Sequence, residues 1–214
     1  MSRRNLLLAS CLVAAAWAMP AEAITIGFDD ITFPGTNEPV PDGYDGFTWG
    51  NLSVVNGPQA ASFYGAFGGN GYTNNIVSPP NAIYNGFGST ASITQGGVPF
   101  DLVSFDLGAA WRIGLQVTVT GLLAGQIVDQ TTLSVDATGP ATLETFGWSD
   151  IDQVEFSSTG GDYAGYALNG SQFVLDNLTV TPVGEPPSLV LLGTALVAGG
   201  AVRRRSRRRR QQAG

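Results

Sequence analysis

Short runs in which apolar and polar residues alternate fill the middle of this chain, residues 24–181. In 113–120, Ile, Leu, Val and Val alternate with Gly, Gln, Thr and Thr, and 131–138 repeats the pattern. A period of two predicts strands with one buried and one solvated face, as antiparallel sheets require. No part of the middle sustains the 3.6-residue period of an amphipathic helix.

Glycine, proline and small polar residues separate these runs. Residues 123–126, Leu-Ala-Gly-Gln, predict a hairpin, and 138–140, Thr-Gly-Pro, end a strand. The pattern predicts about nine strands and an all-β fold, a two-sheet antiparallel jelly-roll sandwich, with another Greek-key sandwich as the alternative. Strand signals are weak in 56–88, which predicts long loops with one or two short strands.

The N-terminal residues 1–23 differ from this middle. Arg3 and Arg4 precede an apolar run, and Ala21-Glu22-Ala23 ends the segment. A basic start, an apolar stretch and small residues two apart predict a secretory signal peptide. Ala21 and Ala23 mark its single cleavage site for signal peptidase. We therefore expect the middle of the chain to be exported.

The C-terminal residues 182–214 carry a second targeting pattern. An apolar span, 188–202, precedes an arginine cluster, 203–210. As a helix, fifteen residues rise about 22 Å, less than the ~30 Å hydrocarbon core. Either local thinning of the bilayer or flanking arginines that reach toward the surface have to make up the difference. The positive-inside rule places the cluster in the cytoplasm and the middle outside, which predicts a short transmembrane helix in the inner membrane.

This tail resembles the PEP-CTERM sorting signal, in which a short Pro-Glu-Pro-like motif precedes an apolar span and an arginine cluster. The matching residues are Gly184, Glu185, Pro186, Arg203, Arg204 and Arg205. Gly184 stands where the family has its first proline. The resemblance implies processing by an exosortase-type protease, in bacteria that make extracellular polysaccharide, and a final location at the cell surface or outside the cell.

Charge separates the middle from both ends. The whole 214-residue chain has a formal net charge of −7, but 24–181 holds fifteen acidic residues and one basic residue, Arg112. The resulting −14 argues against nucleic acid as a partner. The chain has no His and no Lys, and Cys11 precedes the expected mature part. Catalytic Ser-His-Asp, Cys-His and Schiff-base chemistry and Cys/His zinc sites are thereby excluded.

Three short motifs in the middle resemble galactose-binding-like jelly rolls of carbohydrate-binding modules. They are Phe28-Asp29-Asp30, the stretch 43–49 (Gly-Tyr-Asp-Gly-Phe-Thr-Trp) and the stretch 173–178 (Phe-Val-Leu-Asp-Asn-Leu). The resemblance implies a jelly-roll fold and association with polysaccharide.

Carboxylates interrupt apolar rows in the first and last predicted strands. Alternation places Asp176 on one face with Val174, Leu178 and Val180, and places Asp30 in line with apolar residues of the first strand. First and last strands of a jelly roll are commonly neighbours, and oxygen ligands without His or Cys favour Ca²⁺. A structural Ca²⁺ site is therefore predicted from Asp29 or Asp30 with Asp176, helped by Asn177. Alternatively, the carboxylates accept backbone N–H groups, or Asp176 pairs with Arg112.

Aromatic residues supply the second candidate site. Aromatic faces stack on sugar rings while nearby amides hold hydroxyl groups. The candidates for ligand stacking are Trp49, Tyr64, Tyr72 and Tyr84, with core packing as the alternative role.

The expected function is that of a non-enzymatic protein of the cell envelope or extracellular matrix, associated with surface polysaccharide. The alternative is a carbohydrate-active enzyme of the glycosidase type on a similar sandwich. Such an enzyme needs two carboxylates at a defined separation, and fifteen acids make some such pair unavoidable. Arg112 is expected to form a structural ion pair rather than to act in catalysis.

Overall fold

A computed structural model describes residues 22–32, 38–66 and 68–183, all within one compact unit, Ala21–Val183. Within these ranges, no helix is long and apolar enough to cross a membrane. Most of the predicted signal peptide and nearly all of the predicted sorting tail lie outside them. The predicted site residues outside the described part of the chain are Ala21, Gly184, Glu185, Pro186, Arg203, Arg204 and Arg205.

The described residues form fourteen strands and two α-helices. The strands are β1 (Ile24–Ile26), β2 (Glu38–Pro39), β3 (Thr48–Gly50), β4 (Leu52–Asn56), β5 (Asn81–Asn85), β6 (Ala91–Thr94), β7 (Phe100–Ala109), β8 (Arg112–Ile113), β9 (Leu115–Leu123), β10 (Gln126–Val135), β11 (Thr142–Ile151), β12 (Gln153–Thr159), β13 (Asp162–Tyr163) and β14 (Phe173–Pro182). The helices are α1 (Gly57–Gly65) and α2 (Gly71–Asn75). Several strands beyond the nine expected are two or three residues long, too short for alternation to show.

Two main sheets contain most of these strands. The larger has the order β11-β7-β14-β5-β4-β2, with β1 also paired to β14, and the smaller has the order β10-β9-β12-β6-β3. A separate pair joins β13 to β8. Every pairing is antiparallel, so the predicted all-β antiparallel fold is confirmed. The prediction that the first and last strands are neighbours is confirmed by the pairing of β1 with β14.

The main core lies between the two sheets. Phe105 on β7 meets Phe156 on β12 with ring centroids 5.7 Å apart, and Phe156 meets Phe173 on β14 at 5.3 Å. All three phenyl groups are fully buried. Because residues of both sheets share one apolar cluster, the sheets pack face to face as a sandwich.

A second apolar cluster, here the outer cluster, covers the other face of the large sheet. Tyr84 of β5 and Val174 of β14 belong to it, together with Ala60 of α1 and Tyr72 of α2. The large sheet is therefore buried on both faces where the helices lie over it, and every residue of β5 is buried. This accounts for the apolar and amide-rich sequence of β5.

Two helices replace part of the loops that were predicted for 56–88. Asn56 caps α1 by accepting the Gln59 N–H at 3.1 Å, and Asn70 caps α2 by accepting the Thr73 N–H at 2.9 Å. In α1 only Gly57 and Ala60 are buried, so the helix has almost no apolar stripe for a periodicity argument to detect. The two N-cap asparagines were therefore the available sequence signal for these helices.

A β-bulge in β14 breaks the alternation assumed for the last strand. The register against β7 shifts after Asp176, and Asn177 has a φ of +51°. Before the bulge Val174 faces the outer cluster, whereas Leu178 and Val180 after it face the main core. The prediction that these residues share one face is wrong, because one extra residue reverses the side on which side chains emerge.

Among the described residues, Arg112 hydrogen-bonds backbone carbonyls and does not form the expected ion pair. Its Nε donates to the Gly170 carbonyl at 3.1 Å, and its Nη1 donates to the carbonyls of Gly160 and Gly161 at 3.2 and 2.9 Å. These carbonyls flank the connection between β12 and β14. A charged donor shared by three carbonyls holds this connection against the sandwich.

Replacing Arg112 with Ala is expected to destabilise the domain. Hydrogen bonds from a charged donor contribute about 2 kcal/mol together, which corresponds to a fall of roughly 4–8 °C in the melting midpoint of a domain of this size. Thermal unfolding by circular dichroism measures the change. Arg112→Lys keeps the charge but not the planar guanidinium, so its melting midpoint should lie between those of Arg112→Ala and the wild type. An unchanged midpoint for Arg112→Ala would show that the Arg112 side chain is solvated and contributes nothing to stability.

Candidate functional site

A pocket of about 360 Å³ opens beside the outer cluster, and we call it the tyrosine pocket. It lies where α1, α2, the turn after β5, and the connection between β13 and β14 meet. Its lining is formed by Ser53, Tyr64, Tyr72, Tyr84, Gly86, Phe87, Trp111, Leu168, Asn169 and Gln172. None of these lining residues carries a charge.

Four aromatic rings form the base of the tyrosine pocket. Trp111, directly after β7, lies 5.1 Å from Tyr64 and 5.5 Å from Tyr72 between ring centroids, at interplanar angles of 81° and 87°. Tyr72 in turn lies 5.2 Å from Tyr84. These edge-to-face contacts are favourable arrangements for aromatic pairs and fix each ring relative to its neighbours.

The phenol groups of the pocket stay protonated well above neutral pH. Burial raises the pKa of Tyr72 well above its usual value, and the nearby Tyr84 and Tyr64 raise it further, while a hydrogen bond with Trp111 lowers it. Burial also raises the pKa of Tyr64 and of Tyr84. The pocket therefore presents neutral hydroxyl groups, which can donate as well as accept hydrogen bonds.

Amide and hydroxyl groups complete the wall. The side chain of Ser53 lies beside the hydroxyl of Tyr84 and lowers its pKa. Gln172 also lines the pocket, although its Oε1 atom is buried beside Gly170 and has no hydrogen-bond partner within the described part of the chain. Asn169 contributes an exposed amide from the same connection. Rings with a few polar groups are the composition of small-molecule sites in proteins.

The structure brings together three of the four predicted stacking residues, Tyr64, Tyr72 and Tyr84. Trp49 lies elsewhere: it is 6% exposed, belongs to the main core, and donates its Nε1–H to the Tyr44 carbonyl at 3.0 Å. An aromatic residue on an alternating strand has the same sequence pattern whether its ring faces a core or a ligand, so Trp49 could not be separated from the others.

Several lining residues were missed by the sequence analysis. The clearest is Phe87, whose side chain is 96% exposed at the pocket rim. Leu168 and Gln172 belong to a connection without regular structure, where no periodicity marks them. The only sequence signal for Phe87 is its position between two glycines, Gly86 and Gly88, which predicts a turn but not the direction of the side chain.

The carboxylate of Asp176 is buried on the outer side of the large sheet. Its Oδ2 accepts the N–H groups of Val77 and Ser78, both at 2.8 Å, and its Oδ1 accepts the N–H of Asn177 at 2.8 Å and the Ser78 hydroxyl at 3.1 Å. Burial raises the pKa of this carboxyl, and the same hydrogen bonds lower it. The arrangement matches the alternative in which backbone N–H groups satisfy the charge.

The other predicted calcium ligands make separate hydrogen bonds. Asp29 accepts the Asn81 N–H at 3.0 Å, Asp30 accepts the Tyr44 hydroxyl at 2.6 Å, and Asn177 donates to Asp106 at 2.9 Å. These bonds are made by one oxygen of each aspartate and by the amide nitrogen of Asn177.

Three side-chain oxygens lie close together beside Gly27. A Cβ placed on Gly27 would lie 3.4 Å from Asp29 Oδ2 and from Ser78 Oγ, and 3.7 Å from Asn177 Oδ1. Two of these atoms are hydrogen-bonded to each other, since Ser78 Oγ donates to Asn177 Oδ1 at 2.9 Å, and the carboxylate of Asp176 is already occupied by donors. Within the described ranges, no group of three or more His, Cys, Asp or Glu is arranged to hold a metal. The calcium site stays a prediction.

No protein-family model matches this chain, and no curated protein matches it significantly. Among solved structures, TmCBM61 in complex with beta-1,4-galactotriose is similar with a TM-score of 0.34 and 9% identity, over 67% of this chain and 95% of that chain.

Two longer proteins are similar over about a quarter of their length. The CBM22-1–GH10 modules of Clostridium thermocellum endo-1,4-beta-D-xylanase 10B, complexed with xylohexaose, give a TM-score of 0.33 and 11% identity over 71% of this chain and 28% of that chain. The agarase AgWH50C gives a TM-score of 0.33 and 13% identity over 76% of this chain and 25% of that chain. TM-scores this low carry no argument about ligand or activity.

Calcium should raise the melting midpoint if the predicted site binds it. An ion at 100 times its Kd adds about 2.7 kcal/mol to the free energy of unfolding, or roughly 5–10 °C. Melts with Ca²⁺ and with chelator measure this shift. Asp29→Asn should remove it, and Asp42→Asn, an exposed acid elsewhere, should not. Equal midpoints with ion and with chelator would disprove the site.

Proposed function

We propose that this chain is an exported, non-enzymatic protein that binds polysaccharide through the tyrosine pocket. The observation that carries the proposal is the lining: four clustered aromatic rings and neutral hydroxyl and amide groups, with no charged side chain. A sugar ring offers an apolar C–H face and a polar rim of hydroxyls. Aromatic rings match the face, and groups such as Asn169 and Gln172 match the rim.

A binding role is favoured over a hydrolytic one by the same lining. Glycosidases of the common types place two carboxyl groups about 5–9.5 Å apart, flanking the bond to be cut. The tyrosine pocket is lined by phenols, an indole, a phenyl group, amides and a hydroxyl, and a carboxylate is not among the lining residues of the described chain. A bound sugar would be held there without an acid to protonate its glycosidic oxygen.

The order of strands supports a jelly roll as the form of the sandwich. Along the chain, β5, β7, β11 and β14 lie in the large sheet, and β6, β9, β10 and β12 lie in the smaller one. Their order is β11-β7-β14-β5 in one sheet and β10-β9-β12-β6 in the other, so the chain crosses repeatedly between sheets. This interleaving is the order expected of the double Greek key in a jelly roll and is compatible with a galactose-binding-like module.

Export and sorting are proposed from the two ends of the sequence. The leader 1–23 would be removed by signal peptidase, and the span 188–202 would hold the chain in the inner membrane with the arginine cluster in the cytoplasm. An exosortase-type protease would then act on the PEP-CTERM-like tail. The acidic domain would reach the cell surface or extracellular matrix, with Ca²⁺ as its proposed structural ion.

Loss of the Tyr64 ring is expected to weaken polysaccharide binding. Tyr64 is half-buried and lies against Trp111, so Tyr64→Ala opens the pocket while leaving the main core untouched. Removing one such ring should lower affinity by about tenfold. Affinity gel electrophoresis of the domain in galactan, xylan, mannan and dextran measures the retardation.

Tyr163→Ala provides the matched control, because Tyr163 is 50% exposed on β13 and is not among the lining residues. It should migrate as the wild type does. Absence of retardation of the wild type by every polysaccharide, or equal retardation of wild type and Tyr64→Ala, would contradict the proposal.

Removal of 182–214 is expected to release the protein from the cell. Without the apolar span the exported domain has no membrane attachment, so it should appear in the medium after the leader is cut. Fractionation of cells and mass spectrometry of the mature C-terminus measure both events in the native host. An intact arginine cluster on the mature protein would contradict processing, and a cytoplasmic truncated protein would contradict export.

A further inference from the structure

Phe87 is the most exposed large apolar side chain within the described ranges, at 96%. It lies in a 3-10 turn, Gly86–Gly88, that connects β5 with β6 and so crosses from one sheet to the other. Its backbone has a φ of +56°. A bulky residue in this left-handed region is a genuine outlier, since Gly or Asn adopts it at lower cost.

Hydrogen bonds from several elements hold the turn in this conformation. Asn51, in the turn between β3 and β4, donates from Nδ2 to the Gly86 carbonyl at 3.2 Å and accepts the Gly86 N–H at its own carbonyl at 3.0 Å. Asn85 donates to the Ser89 carbonyl at 2.9 Å. The Ser171 hydroxyl donates to the Gly88 carbonyl at 3.4 Å. The backbone of the turn is therefore fixed, and with it the direction of the Cα–Cβ bond of Phe87.

Packing within the described chain does not account for Phe87. Its ring is in water, so it adds exposed apolar surface and local strain without a compensating contact. Strained positions of this kind persist where the surrounding structure over-determines them, and they cluster at ligand sites. Leu168, 42% exposed on the facing connection, extends the same apolar rim of the tyrosine pocket.

The charge of the molecule restricts what this rim can bind. The domain 24–181 carries a net −14, which repels acidic chains over the Debye length of about 8 Å at physiological salt. No lining residue of the tyrosine pocket carries a charge that could compensate a carboxylate, sulfate or phosphate group. The surface and the pocket together favour an uncharged ligand.

We infer that Phe87 and the tyrosine pocket form one two-part site for an uncharged oligosaccharide of at least two rings. One sugar ring lies in the pocket against Tyr64, the half-buried ring of the lining, and the next ring packs its C–H face on the phenyl group of Phe87. Because the turn that carries Phe87 is fixed before binding, its backbone loses little conformational freedom on binding. This inference rests on the proposed polysaccharide-binding function.

Calorimetric titration of the domain with mono-, di- and trisaccharides of glucose, galactose, mannose and xylose tests the inference. Wild-type affinity should rise about five- to tenfold from one ring to two, the range expected for one added aromatic contact. Phe87→Ala should abolish this rise, so that mono- and disaccharides bind this variant with equal affinity. Phe87→Trp, which keeps a ring, should retain the rise, whereas Phe87→Leu, which keeps only apolar surface, should not.

Leu143→Ala is the matched control, because Leu143 is 61% exposed on β11 and lies outside the pocket lining. It should bind as the wild type does. Neither Phe87 nor Leu143 belongs to the core, so all four variants should have the melting midpoint of the wild type. Circular dichroism of the same samples measures this midpoint.

Each negative outcome has its own meaning. Retardation or titration that depends on Tyr64 but is equal for wild type and Phe87→Ala at every chain length would overturn the two-part site and leave the proposed function standing. No binding of any neutral saccharide would overturn both. Oligogalacturonates that bind as tightly as neutral oligomers at low salt would overturn the inference that the ligand is uncharged. Phe87-dependent binding to phosphatidylcholine vesicles instead of sugars would assign the ring to a membrane surface.

Discussion

A buried carboxylate determines how the outer face of the large sheet is covered. Asp176 lies on β14 where the bulge begins and accepts the N–H groups of Val77 and Ser78, which follow α2. An ionised carboxylate without partners would be too costly to bury, so the segment that satisfies it has one position on the sheet. From there the chain enters β5, and Tyr72 on one side of this anchor meets Tyr84 on the other. The tyrosine pocket depends on this placement.

The parts of the fold that were predictable are those with a local physical signature. Strands such as β9 and β10 have one dry and one wet face, and their hairpin contains the expected Ala124-Gly125 turn. The helices escaped prediction because a short helix over a sheet needs few apolar residues. The bulge at Asn177 escaped it because the period of two contains no information about an inserted residue. Two-residue strands such as β8 are set by tertiary contacts alone.

The candidate site shows the same division. Residue type identified Tyr64, Tyr72 and Tyr84, since phenols serve both packing and recognition, but it could not exclude Trp49, whose indole fills the main core. Phe87 was not found because its exposure follows from a left-handed turn held by distant amides. Likewise, composition singled out Arg112 as the basic residue of the domain, and only the fold shows that its partners are carbonyl oxygens.

The two main sheets end in ten-residue strands, β10 and β11, each paired within its sheet on one side only. Irregularities interrupt β11 twice, between Thr145 and Trp148 and again before Ile151, so it offers a poor template for a further strand. In β10 the single irregularity lies near Ile127, and the rest of the strand is regular up to Val135. Growth of the sheet from one copy to another in concentrated solution would therefore begin at β10, and a lysine or proline on that margin would be the natural way to suppress it.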